Sequence, residues 1–299
     1  MRVVVAGGSG FLGEPLVRRL VARGDDVAVL SRDPSRVRAG RGVQWDGKSG
    51  GPWTSEIGDA GAVINLAGEN VGEGRWTEER KRCLIDSRLN ATNAIVSALK
   101  SAPPRKRTLI NASAVGYYGT NRDEELDEQS SKGHGFLADL VEKWESAAIA
   151  AQSAARVVVL RLGVVFAADG GALQKMMMPF RFGVGGPVGS GNQWLSWVDR
   201  DDLLDAILWA LDHENVRGIY NVTAPQPVRN RDFAKILGRM LHRPSIMPAP
   251  AFALRLVFGE IADEVLLGGQ RALPRRAQSE GFRFAHPELE PALRNIARR

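Results

Sequence analysis

Three glycines, Gly7, Gly10 and Gly13, are spaced Gly-x-x-Gly-x-x-Gly directly after the β-branched run Arg2-Val3-Val4-Val5-Ala6. They open a stretch in which Leu12, Leu16, Val17 and Leu20 recur at helical spacing. A turn of this kind between a buried strand and an amphipathic helix binds a diphosphate. Gly7 permits the tight turn, Gly10 takes a Cβ out of the path of the phosphates, and Gly13 allows close helix packing. The helix N-terminus then presents free N–H groups and the positive end of its dipole. The predicted cradle comprises Gly7, Ser9, Gly10, Phe11, Leu12 and Gly13.

The second strand ends at Leu30 and runs into Ser31-Arg32. Arg32 stands about 20 residues after Gly13, where a site for NAD carries Asp or Glu for the ribose hydroxyls. An acid there would repel a 2′-phosphate, whereas Ser31 and Arg32 can donate to one, Arg as a planar fork. NADP(H) is the expected cofactor, with Asp33 the acid that argues the other way.

The elements that must hold these groups alternate. Strand signals at 2–6, 27–30, 62–66, 108–112 and 157–162 are separated by helical patterns at 10–23, 76–100 and 136–151. Repeated β-α-β units imply a parallel sheet with right-handed crossovers. The second half has a glycine-rich loop at 183–191, a helix over 200–211, a strand over 219–222 and a helix over 230–241 opened by Asn230 as an N-cap. A Pro-rich stretch after Arg243 leads to a basic tail. The expected fold class is α/β, a doubly wound parallel Rossmann sheet with a smaller C-terminal substrate-side region. The domains are expected at 1–245, including a substrate loop at 179–202, and at 246–299.

Composition excludes several classes. With 44% hydrophobic and 25% charged residues, the chain has the makings of an ordinary packed core. The net charge of +6 favours anionic partners only weakly, because Lys and Arg are interleaved with acids, as in Glu78-Glu79-Arg80-Lys81-Arg82. No basic block is interleaved with aromatics, so no nucleic-acid partner is expected. One cysteine, Cys83, excludes an intrachain disulfide, and with no signal peptide at Met1 a cytoplasmic protein is expected. No apolar run approaches the ~20 residues that span a bilayer, so no membrane partner is expected. His134, His213, His242 and His286 lack metal-ligand spacing, so no metal is expected.

Further motifs give the chain a family likeness. They include Asn65-Leu-Ala-Gly-Glu69, Asp86-Ser-Arg88, Gly116-Tyr-Tyr-Gly119, Arg161-Leu-Gly-Val-Val165, Pro179-Phe-Arg-Phe-Gly183, Trp197-Val-Asp-Arg-Asp-Asp202 and Gly268-Gly-Gln-Arg-Ala-Leu-Pro274. With the glycine turn and Ser31-Arg32, these resemble the extended short-chain dehydrogenases/reductases, the NAD-dependent epimerase/dehydratase superfamily. Within it, the chain looks like the atypical bacterial "epimerase family" proteins, which have a mammalian relative and a small C-terminal module of undefined role. The resemblance implies that Leu66, Ala67 and Gly68 let a cofactor lie against the backbone. It implies that Arg88 reaches a phosphate or the ribose, and that Val165 lies near the nicotinamide.

The catalytic pattern of the superfamily is incomplete here. Extended members pair a Ser or Thr with Tyr-x-x-x-Lys on one helix, the Lys lowering the Tyr pKa for proton exchange. If Glu145 marks the usual Glu four residues after the Lys, the Lys place holds Val141 and the Tyr place Leu137. Lys143 is two residues off that register and points to another face. Ser113 stands where the resemblance puts a carbonyl-polarising hydroxyl, and Tyr117 or Tyr118 is available as a substitute acid. The catalytic candidates are Ser113 and Tyr117.

Phe180, Arg181, Phe182, Gln193, Trp194 and Trp197 suit a small-molecule pocket, with Arg181 for an anionic group. Met176, Met177 and Met178 read as helical packing, and Glu124, Glu125, Asp127 and Glu128 as a solvated loop. The missing Tyr/Lys pair leaves two functions open, an NADP-dependent oxidoreductase or epimerase and a nucleotide-binding regulator or scaffold. By analogy with the superfamily's four-helix contact, a homodimer would use 76–100 and 136–151.

Overall fold

The computed structural model describes residues 1–120 and 122–298. In chain order the strands are β1 (Arg2–Ala6), β2 (Asp26–Ser31), β3 (Arg41–Gln44), β4 (Ala62–Asn65), β5 (Thr108–Ala114), β6 (Arg122–Leu126), β7 (Arg156–Leu162), β8 (Val164–Ala167), β9 (Trp194–Leu195), β10 (Trp197–Asp199), β11 (Gly218–Val222), β12 (Val228–Arg229) and β13 (Gln270–Ala272). The helices are α1 (Gly13–Ala22), α2 (Thr54–Asp59), α3 (Glu78–Ser101), α4 (Phe136–Ile149), α5 (Gly171–Arg181), α6 (Arg200–Asp212), α7 (Asn230–Met240), α8 (Ala251–Phe258), α9 (Arg275–Ser279) and α10 (Leu289–Ala297).

Seven strands form one parallel sheet in the order β11-β7-β5-β4-β1-β2-β3. Their continuous apolar runs are buried on both faces, as a parallel sheet sandwiched between helices requires. One face packs Val3, Val5, Val29 and Ile64 under Leu16, Leu20, Leu203 and Ile207 of α1 and α6. The other packs Val4, Leu30, Val63 and Leu109 under Ile57, Ile95, Leu99 and Ala148 of α2, α3 and α4. The strand order reverses between β1 and β4, which places a crevice at their C-terminal ends.

A second, smaller core joins Phe166, Phe180, Trp197 and Phe233 to Leu289, Leu293 and Ile296 of the tail. The tail is integrated into the rest. Residues of β13 pair with β6, and the Asp202 carboxylate accepts the N–H groups of Ala285 and His286 at 2.7 and 2.9 Å. The acidic run expected as a solvated loop is a correction. Residues of β6 are a strand, and Glu128 accepts the N–H groups of Asn221 (2.9 Å) and Arg276 (3.2 Å). Burial raises the Glu128 pKa above the usual carboxylate value, those N–H donors pulling the other way. Asn230 is a second correction. Arg229 is the N-cap of α7, and the Asn230 Oδ1 instead accepts Val188 N–H at 2.8 Å.

Gly13 shows how tightly the first turn is wound: a Cβ there would lie 2.1 Å from the Gly7 carbonyl oxygen. Gly13→Ala is expected to cost about 1–3 kcal/mol in urea unfolding. Gly50→Ala, where a Cβ meets open space, should change stability by less than about 0.5 kcal/mol.

Candidate functional site

The glycine turn occupies the crevice at the strand reversal. Gly7 has φ +76°, and a Cβ on it would lie 2.9 Å from the carbonyl of Leu66. The turn therefore presses directly on the end of β4, next to Leu66 and Ala67. Gly10 N–H donates to Gly7 O at 3.1 Å, and the first helical bond is Glu14 N–H to Gly10 O at 3.0 Å. The amides of Phe11 and Leu12 precede that bond, and α1 has no side-chain cap at Leu12. A helix start left uncapped, beside two exposed residues Ser9 and Gly10, fits the phosphates of a dinucleotide. Gly8 escaped the sequence reading: it is the glycine that packs against Val29 and Val17.

Phe11 points the other way. Its ring lies under Gly170 and Gly171 at the start of α5, with the Arg200 guanidinium 5.1 Å from its centroid. Arg200 is held by both oxygens of Asp169 at 2.6 and 3.0 Å. The glycine turn is thus locked to β8 and α5, where Val165 is half-buried beside the sheet.

Just past the end of β2, Arg32 is 80% exposed and lies 3.8 Å from Glu69. A cleft of about 480 Å³ opens there, lined by Arg32, Asp46, Lys48, Glu69, Cys83 and Ser87 among others. Ser31 is buried. Its hydroxyl donates to Asp33 O at 2.9 Å and accepts Asp33 N–H at 3.1 Å, so its proton is committed to the turn. The Asp33 carboxylate is committed too, to Ser35 and Arg36. Asp46 was not singled out from sequence. Its carboxylate caps the N–H groups of Lys48 and Ser49 at 2.9 and 2.7 Å, and these bonds bring its pKa down to about 2.

Arg88 is a brace. It donates to Leu84 O at 3.0 Å and Glu69 O at 2.9 Å, and its stem fills the space beside Gly68. Burial lowers its guanidinium to about 10, which leaves it charged at neutral pH. Ser87 accepts Glu69 N–H from the same helix. Beneath, Asn65 Nδ2 donates to Thr92 and Asn111 at 3.0 and 2.7 Å, and its Oδ1 accepts Ala67 N–H at 3.2 Å. A buried amide at a strand end was the signal for this support, and the sequence reading passed over it.

The catalytic candidates meet a buried charge pair. Ser113, at the end of β5, donates to Glu145 Oε1 at 2.6 Å. Glu145 receives two bonds from Arg161, at 2.7 and 2.8 Å, with both side chains at most 5% exposed. Arg161 also donates to the Tyr118 hydroxyl at 3.0 Å, and its guanidinium lies 3.5 Å from the Tyr117 ring centroid. Burial works to lower the Arg161 pKa, but Glu145 and Tyr118 outweigh it and hold it above its usual range. Burial pushes Tyr118 up to about 12 despite Arg161. Tyr118 is therefore unsuited to proton exchange near neutrality. Among the described residues the Tyr117 hydroxyl makes no hydrogen bond. Leu137 and Val141 do face the segment after β5, 3.3 and 4.0 Å from a Cβ built on Gly116.

The aromatic pocket wall divides. Trp197 and Phe180 are core, a correction that follows from Trp197 stacking on Phe166 at 5.8 Å. Trp194 lies between Arg229 and Arg271, at 4.0 and 4.8 Å. Phe182 is exposed, and Arg181 touches Gln174. Met177 packs inward from α5, as the sequence predicts, while Met178 faces outward.

The parallel sheet, its strand order and the glycine turn at the reversal define a dinucleotide-binding protein of the Rossmann class. The chain belongs to the NAD-dependent epimerase/dehydratase family, whose model matches residues 3–223. Residues 249–296 match a domain of unknown function, DUF1731. The chain is 40% identical to epimerase family protein ML0860 of Mycobacterium leprae, over 97% of this chain and 94% of the relative. It is also 40% identical to the chloroplastic SDR39U1 homolog of Arabidopsis thaliana, over 99% of this chain and 86% of that one. A crystal structure of human epimerase family protein SDR39U1 (isoform 2) with NADPH superposes with a TM-score of 0.89, at 37% identity, covering 100% of this chain and 99% of that one. The resemblance drawn from the motifs therefore holds.

Removing one member of the charge pair should be costly. Glu145→Ala is expected to lose about 3–5 kcal/mol in urea unfolding, because Arg161 stays buried without its partner. Tyr117→Phe, which removes a hydroxyl with no partner, should change stability by less than about 0.5 kcal/mol.

Proposed function

We propose that the chain is an NADP(H)-dependent oxidoreductase or epimerase acting on a small substrate that carries a hydroxyl or carbonyl group. NADP(H) supplies or takes up a hydride when bound. The observation that carries the reading is the pairing of an uncapped glycine turn with an open guanidinium. The amides of Phe11 and Leu12 meet the diphosphate, and Gly7, Ser9, Gly10 and Gly13 keep side-chain bulk out of its way. Arg32 selects the 2′-phosphate, since the acid beside it is already spent on Ser35 and Arg36. Lys48, on the same cleft, adds positive charge. NADPH in the human relative's crystal structure supports the same choice.

Leu66, Ala67 and Gly68 form the backbone surface along which the cofactor lies. Arg88 acts by holding Glu69 and Gly68 in place, and Ser31 by fixing the turn that projects Arg32. Val165 gives the nicotinamide end an apolar wall.

On the substrate side, Ser113 gives its proton to Glu145 and so presents lone pairs. It accepts a hydrogen bond from the hydroxyl of the alcohol form, the species oxidised with NADP+ or formed from the carbonyl with NADPH. The expectation that Ser113 polarises a carbonyl gives way, because its proton is committed to Glu145. Tyr117, next to it and unencumbered, exchanges the proton. Leu137 and Val141 make that surface apolar where relatives of the extended type place Tyr and Lys.

Titration with NADPH and NADH, followed by tryptophan fluorescence, tests the cofactor. NADPH should bind more tightly, and Arg32→Ala should weaken NADPH by about 10–100-fold, the loss of a charge-assisted contact, while leaving NADH unchanged. Equal affinities in the native chain would contradict the preference. A screen of carbonyl compounds for NADPH consumption tests the chemistry. Tyr117→Phe should lower kcat/KM on any active compound by about 10²–10⁴-fold; activity equal to the native chain would remove Tyr117 from the mechanism.

A further inference from the structure

We propose that the chain docks on anionic membrane surfaces through an apolar face built from α8 and the glycine-rich loop. Every residue of α8 is at least partly exposed. Phe252 and Leu256, one turn apart, are 73% and 75% exposed, and Ile246 and Phe182 reach 80% and 77%. Met247, Val257 and Val184 also lie more than half exposed. The two segments that carry them adjoin. The loop runs beside the segment that leads into α8, with Met247 N–H donating to Gly185 O at 3.3 Å and Ala249 N–H to Pro187 O at 2.9 Å. Gly186 lets the two backbones touch, since a Cβ there would meet the Met247 carbonyl at 2.1 Å.

The two segments that build this face carry no acid, and the acids just beyond α8, Glu260 and Asp263, are paired with Lys81 and Arg255. Neither 170–198 nor 242–259 contains an Asp or Glu. Arg181 adjoins Phe182 and Arg243 precedes Ile246 in the chain, and Arg75 reaches within 3.4 Å of a Cβ built on Gly259 at the end of α8. Among the described residues none of the three is in an ion pair. Arg255, on α8 itself, is paired with Asp263 at 2.9 Å.

Protruding aromatic and aliphatic tips ringed by arginines are what the boundary of an anionic bilayer accepts: apolar groups enter among the acyl chains while the cations meet the headgroups. A second copy fits less well. A two-fold contact places a patch against itself, and here it would bring the unpaired Arg75, Arg181 and Arg243 together, while the nearby acids Glu260 and Asp263 already have partners. This departs from the expectation of no membrane partner, which rested on the lack of a spanning run; no helix among the described residues is long and apolar enough to cross. Docking at a surface needs no such helix.

Flotation of the full chain with vesicles of phosphatidylcholine alone, and of phosphatidylcholine mixed with phosphatidylglycerol, tests the proposal. Binding is expected to the mixed vesicles and to weaken as salt rises. The double variant Phe252→Ser/Leu256→Ser should partition about tenfold or more weakly, with an unchanged Tm and unchanged NADPH affinity. Arg181→Glu/Arg243→Glu should abolish the preference for the anionic vesicles. No flotation with the mixed vesicles, or flotation that the serine variant leaves untouched, overturns the proposal. So does self-association that the serine variant abolishes while vesicle binding is absent, because a second copy would then cover the face.

Discussion

A carboxylate and a guanidinium lie side by side beneath the C-terminal ends of β5 and β7, shut away from water. Neither Glu145 nor Arg161 can be desolvated alone, because an unpaired charge at that depth costs several kcal/mol. Together they give Ser113, Tyr117, Tyr118 and Asn221 their positions. Glu145 accepts the hydrogen bond of the Ser113 hydroxyl at the end of β5, and Arg161 lies against Tyr117 and bonds Tyr118. The Tyr118 hydroxyl in turn lies 2.8 Å from Asn221 Oδ1 on β11. One ion pair thereby ties α4 to three strands.

The cofactor side rests on backbone contact. The glycine turn closes on Leu66 without side chains between, and the Asn65 amide holds that end of β4 against Thr92 and Asn111. Trp144 on α4 donates to the same Thr92 hydroxyl at 3.0 Å. Helix α4 therefore touches both halves of the site, through Trp144 toward the cofactor crevice and through Glu145 toward Ser113. Its own N-terminus is completed from far along the chain, where the Glu264 carboxylate accepts the N–H groups of Phe136 and Leu137 at 3.2 Å each. An acid at that position also complements the helix dipole. The C-terminal region is part of the site's support.

This arrangement bears on the chemistry left when Tyr-x-x-x-Lys is absent. In the extended pattern a lysine tunes a tyrosine on α4. Here Arg161 of β7 lies against the ring of Tyr117, in the turn after β5. Glu145 holds the Arg161 guanidinium in its charged form.

The sequence by itself determined the alternation of buried strands and helices, the place of the glycine turn and the choice of Arg32 over an acid. These are local signals: β-branched runs, Cβ-free positions and one residue type at a strand end. It under-read the short pieces β3, α2, β6 and β8, whose few residues carry little periodicity. Only the tertiary structure decided which polar groups were already spent. Ser31 and Arg88 have donors suited to a phosphate, yet Asp33 takes the Ser31 proton in a hydrogen bond and the carbonyls of Leu84 and Glu69 take two N–H groups of Arg88. Glu145 looked like a register mark and is the partner of Arg161, 16 residues away in the chain. Whether a donor remains free depends on which groups the fold brings within 3 Å of it, and residue type and spacing along the chain do not contain that distance.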